Sequence, residues 1–101
     1  MPRRVMIVEV CTYRVKAGRR SEFIKHFEAQ AVPAIRACGI RVLGPLVDRE
    51  NPNKFVWLRS FPSQEERDRM YYAFHHSAVW VDELEPIAMP MLESWDFAAR
   101  P

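Results

Sequence analysis

Apolar and polar positions alternate most regularly between Asn53 and Phe61, NKFVWLRSF. Side chains along a strand leave on opposite faces with period two, so Phe55, Trp57, Arg59 and Phe61 share one face and Val56, Leu58 and Ser60 the other. Val5 to Val15 (VMIVEVCTYRV) has the same period and the β-branched and aromatic content of a strand. Here Glu9, Cys11 and Tyr13 fall on one side and Met6, Val8, Val10 and Thr12 on the other. Over Glu22 to Cys38 the period becomes helical, with Phe23, Phe27, Ala31 and Ile35 four residues apart. Ser21 or a neighbour is expected to cap this helix, Pro33 to kink it, and Gly39 to end it in a left-handed turn.

Ile40 to Val47 reads as a second strand whose Gly44-Pro45 predicts an edge position or a bulge. Ser63 and Glu66 form a capping box, opening a helix expected to turn Met70, Ala73 and Phe74 inward. From Ala78 to Met91 the apolar positions are broken by Pro86 and Pro90, which predicts short helix or coil. Glu93 to Ala98 alternates again, setting Trp95 and Phe97 against Ser94 and Asp96.

The order is therefore βαββαβ. Right-handed crossovers give an α+β, ferredoxin-like fold: an antiparallel sheet of order 4-1-3-2 with both helices on one face. At 101 residues the chain has room for one domain, residues 1–101. The face left open by the helices is expected to collect Glu9, Cys11, Tyr13, Phe55, Trp57 and Arg59, with Arg41 and Asp96. Each large apolar side chain left wet forgoes roughly 1.5–3 kcal/mol, about 10 kcal/mol for the face, against a domain stability of ~5–15 kcal/mol. A second copy of the chain is expected to cover it, giving a homodimer or a higher oligomer.

Composition narrows the function. An apolar fraction of 49% excludes disorder, and 15 basic against 13 acidic residues leave no electrostatic footprint for nucleic acid. No apolar run approaches the ~20 residues of a membrane span, and Glu9 cuts short the run after the basic start. Cys11 and Cys38 are expected to stay reduced. A soluble, cytoplasmic protein is expected.

Several residues can carry chemistry. His75 and His76 lie about 100° apart on a helix and cannot chelate one metal. Either one packs while the other is solvated, or one reaches the pocket as an acid–base group or axial ligand. Glu9 and Arg59, on neighbouring strands and the same face, form a buried ion pair that sets register, or a poised base with Arg59 or Arg41 holding an anionic oxygen. Tyr13, Trp57, Tyr72 and Trp80 read as core or interface, or as the aromatic walls of a small-molecule pocket. The basic run Arg14, Lys16, Arg19, Arg20 reads as a solvated turn. No phosphate loop, CxxC, HExxH or GxSxG occurs, so no metal site or cofactor is expected.

The stretches VEVCTYRVKAGRRSEF, GIRVLGPLVDRENPNKFVWLRSFPSQEER and SAVW resemble the NIPSNAP family over nearly the whole chain. The resemblance implies membership of the dimeric α+β barrels, which pair two ferredoxin-like sheets around small-molecule pockets. That superfamily includes cofactor-free monooxygenases and haem-degrading enzymes, although Glu9 and Cys11 stand where a haem-degrading pocket is expected to carry Asn. Two functions follow as expectations. One is a pocket protein of the cofactor-independent monooxygenase or isomerase type, acting on aromatic or carbonyl compounds through Glu9, Arg59, His75 and His76. The other is a non-catalytic interaction module, or one binding a haem-like ligand.

Overall fold

The structure, a computed structural model, describes residues 6–100, the side chains of 97–100 excepted. The expected strand start at Val5 and the facing of the Phe97 side chain lie outside the described residues. Strands β1 (Ile7–Val15), β2 (Arg41–Val47), β3 (Lys54–Phe61) and β4 (Leu92–Arg100) form one antiparallel sheet of order β2-β3-β1-β4. That is the expected ferredoxin-like order. Among the described residues no helix is long and apolar enough to cross a membrane.

The first helical stretch runs as α1 (Arg20–His26), a π-helical turn (Phe27–Ala31) and α2 (Val32–Ala37). Pro33 has no N–H to return to the carbonyl of Ala29, and the ladder widens there. Ser21 does not cap the helix: Arg19 holds the cap position, and its side chain instead pairs with Glu22 at 2.6 Å. Gly39 ends the stretch at φ 88°. Helix α3 (Gln64–His75) begins as predicted, with Ser63 Oγ accepting from the Glu66 N–H at 3.2 Å. It buries Met70 and Phe74, whereas Ala73 is exposed. A second π turn (Val79–Leu84), the short α4 (Glu85–Ala88) and a 3-10 turn (Met89–Met91) lead into β4.

The sheet presents its faces the other way round from the expectation. Phe55, Trp57, Phe61, Cys11, Glu9 and Arg59 are all buried, and what covers them is the chain's own helical layer. Phe23 meets Phe55 with ring centroids 5.0 Å apart, and Phe27 meets Trp57 at 5.2 Å. Alternation shows which side chains share a face but is silent on which face the helices take. The aromatic groups of α1 and the following π turn need aromatic partners, and burying both sets together recovers the apolar free energy within one protomer. The open face is aliphatic: Val10 opposes Leu58, Thr12 opposes Val56 and Leu43 opposes Leu58. Arg41 opposes Ser60 and Asp96 opposes Thr12, so both sit on this open face, away from Glu9 and Arg59.

Strand β2 is an edge, as Gly44-Pro45 predicts, and its register against β3 shifts between Leu43 and Leu46. At Gly44, φ is 126° and a Cβ would stand 3.0 Å from Trp57 Cβ, so the backbone's approach to Trp57 leaves no room for a side chain. Arg20 is not merely solvated. Its Nη1 donates to the carbonyls of Asp48, Asn51 and Lys54 at 3.0, 2.9 and 3.1 Å, tying the β2–β3 turn to α1.

Because Trp57 is packed within its own protomer, Trp57→Ala is expected to destabilise the fold itself by about 3–5 kcal/mol. Urea denaturation checks this: a midpoint close to the parent protein's contradicts the packing described.

Candidate functional site

Between the sheet's aromatic face and the helices lies a cavity of about 140 Å³. Trp57, Arg59 and Tyr13 form its floor, Phe23 and Phe27 one wall, and Tyr71, Phe74, His75 and Trp80 the other. An engineered apolar cavity of roughly 150 Å³ takes up one benzene molecule, so this space suits a single ring or a short chain.

The polar end is organised by Glu9. It is directly opposite Arg59 across the β1–β3 ladder, as the strand assignment predicts. Its Oε1 accepts from Arg59 Nε at 2.6 Å, and its Oε2 accepts from Arg67 Nε at 3.0 Å. Glu9 thereby joins two strands and α3 through one buried carboxylate. It does not line the cavity; Arg59 does. Both guanidiniums lie against the Tyr71 ring, at 4.9 Å for Arg59 and 4.3 Å for Arg67. Burial opposes the charge of Arg59, but the nearby Cys11, Glu9 and Tyr13 outweigh it and hold its pKa up. Burial likewise drives the Cys11 thiol up to about 12, so Cys11 stays protonated. It also raises the Tyr13 phenol well above its usual range, with the Trp57 indole N–H among the groups opposing the shift.

The two histidines separate. His75 is half-buried and lines the cavity, its ring 4.0 Å from Tyr71 and 4.9 Å from Trp80. Its Nδ1 donates to the Tyr71 carbonyl at 3.1 Å, which leaves Nε2 as the basic nitrogen of the neutral ring. Burial first, then Arg59 and Arg67, lower its pKa below the ordinary histidine value. His76 is exposed and stacks on Tyr72, which is itself exposed; neither borders the cavity. Arg41 borders a separate cleft with Met6, Gly39 and Ser60. Of the residues named from sequence, the fold brings Tyr13, Trp57, Arg59, His75 and Trp80 together, with Glu9 directly behind Arg59.

Arg67 and Tyr71 escaped the reading of the sequence. The signal was present: Arg67, Tyr71 and His75 recur every four residues and so share one face of α3. Among the described residues no group of three or more His, Cys, Asp and Glu is arranged to hold a metal ion.

A four-stranded antiparallel sheet with helices on one face and a cavity beneath them defines an α+β protein of the ferredoxin-like class. The NIPSNAP family model matches residues 8–96, and the chain belongs to the NIPSNAP family. A NIPSNAP family protein from Agrobacterium tumefaciens superposes with a TM-score of 0.86 at 18% identity, covering 96% of this chain and 92% of that one. A NIPSNAP-like domain protein from Burkholderia xenovorans gives 0.84 at 24% identity, over 95% and 84% of the two chains. A putative antibiotic biosynthesis monooxygenase from Nitrosomonas europaea gives 0.74 at 16% identity, over 94% and 88%. At these identities the structures share the fold. Comparison with curated proteins yields no match.

Removing one partner of a buried ion pair leaves an uncompensated charge and costs about 3–5 kcal/mol, whereas an exposed pair is worth roughly 0–1 kcal/mol. Glu9→Gln is expected to lower stability by the larger amount, and Arg69→Ala, which breaks the exposed pair with Glu66, by the smaller. Equal urea midpoints for the two variants would refute the bridging role of Glu9.

Proposed function

We propose that this protein binds a small aromatic or carbonyl compound in the cavity between sheet and helices and moves a proton on it without a cofactor. The observation that carries this reading is the convergence of Arg59 and His75 on one aromatic-walled space. His75, held neutral near pH 7 with Nε2 basic, has the character of a general base. Arg59, its charge maintained, is placed to stabilise an oxyanion such as an enolate. Abstraction of a proton next to a carbonyl is a first step that isomerases and cofactor-free oxygenases can share. The fold's likeness to a putative antibiotic biosynthesis monooxygenase supports the same direction. Glu9 enters as the group that positions Arg59, and His76, Tyr72 and Arg41 lie outside the mechanism. The cavity's size favours a monocyclic ligand over a haem-like macrocycle.

Acetophenone in deuterated buffer tests the chemistry. The protein is expected to speed exchange of the methyl protons, and His75→Asn to slow that exchange by about 10²-fold or more. Since only neutral His75 accepts a proton and its pKa is lowered, the midpoint of the acid-side fall in rate should lie below the ordinary histidine value. Binding without exchange would instead support the non-catalytic alternative.

We propose further that two copies associate through the open face of the sheet, and that the protein resides in the cytoplasm, where unpaired cysteines stay reduced. Val8, Val10, Val56 and Leu58 line that face, and Leu43 and Leu46 expose 61% and 46% of their surface at its edge. The partner closes the aliphatic face and leaves the cavity intact within each protomer. Leu58→Asp is expected to convert a dimer to a monomer in sedimentation at micromolar concentration; a monomeric parent protein would refute the association.

A further inference from the structure

The polar groups bordering the cavity are unequal in sign and in hydrogen-bonding sense. Arg59 is the one lining residue fully charged at neutral pH, and no Asp or Glu borders the space among the described residues. The nearest carboxylate, Glu9, lies behind Arg59 with both oxygens accepting from guanidiniums. One buried carboxylate therefore faces two guanidiniums, the buried Arg59 and the part-buried Arg67. Asp68, 3.4 Å from Arg67, is largely in solvent and screened. Trp57 is 2% exposed and lines the floor, and its indole N–H is buried without a well-formed hydrogen bond. Arginine and tryptophan side chains only donate. A buried donor is stabilised by an acceptor brought to it, and an excess buried cation by an anion. The walls around this end are rings: Phe23, Phe27, Phe74 and Trp80.

From these features we infer that the ligand is a small aromatic monocarboxylate, its ring among the phenylalanines and its carboxylate on Arg59 and the Trp57 N–H. A ring with one carboxylate matches the volume of about 140 Å³. A longer or dianionic ligand would force a second charge into the apolar walls, where nothing compensates it. A neutral ring would offer the Trp57 N–H no acceptor beyond the Tyr13 phenol beside it. This assignment rests on the ligand-binding reading above and gives that ligand a charge and a functional group.

Titrations with benzoate and with toluene, followed by chemical shifts of the Trp57 and His75 side chains at pH 7.5, separate the possibilities. Benzoate is expected to bind at least tenfold more tightly than toluene. Trp57→Phe keeps a ring but removes the N–H, and, followed through the His75 side chain, is expected to weaken benzoate about tenfold more than it weakens toluene. Toluene binding as tightly as benzoate would overturn the anionic assignment while leaving the cavity a ligand site. Benzoate binding that Trp57→Phe does not alter would overturn the role of the indole donor. If neither compound shifts the cavity resonances, the ligand-binding reading falls and this assignment falls with it. Arg59→Lys gives an independent arm, since an ammonium retains the charge but not the guanidinium fork. Its benzoate affinity is expected to lie below that of the parent, and an unchanged value would count against contact with Arg59.

Discussion

One buried carboxylate holds the working half of this molecule in place. Glu9 sits on β1, takes Arg59 from β3 on one oxygen and Arg67 from α3 on the other, and so ties sheet to helix where apolar packing alone would not fix their angle. Burying the charges of Glu9 and Arg59 is costly unless each is compensated by close, well-aligned partners. Here the carboxylate accepts from the Nε of both guanidiniums, and the Tyr71 ring lies against both. The arrangement fixes a cationic group at the edge of an apolar cavity, a position that packing by itself would not provide.

The sheet's two faces have different chemistry and support different roles. The aromatic face, closed by Phe23, Phe27 and Phe74 of the same chain, encloses a space lined by rings. Among the described residues no helix lies over the aliphatic face, which carries Val10, Leu58 and Leu43. Interruptions of the helical layer flank the cavity: Phe27 and Ala31 come from one π turn, Trp80 and Leu84 from the other. Such turns arise where the regular ladder is broken, and they are frequent beside functional sites because they re-aim side chains.

Much of the fold could be read from residue order. Period-two alternation placed Glu9 and Arg59 on one face, and antiparallel pairing set them directly opposite each other. Gly44-Pro45 marked an edge strand, and Ser63 with Glu66 marked the start of α3. The covering of the faces was not legible. Alternation is symmetric between them, so the choice depends on how the rings of Phe23 and Phe27 pack against Phe55 and Trp57 in three dimensions. Arg41 and Asp96 lie on the open face as expected but not beside Glu9 and Arg59, because which residues share their face follows from register, which the sequence leaves open. Among site residues, His75 was legible as a candidate but not distinguishable from His76. The stripe Arg67–Tyr71–His75 is not legible from apolar periodicity, because it joins the core through a cation and two rings.

Glu9 bridges Arg59, which is shut off from water, to Arg67, which is partly exposed. Hydrogen exchange of the arginine Nε–H groups, followed by nitrogen-resolved NMR, measures this directly. The Arg59 Nε–H is expected to exchange orders of magnitude more slowly than that of exposed Arg69, with Arg67 between them. Exchange of all three at the rate of a free arginine side chain would contradict it.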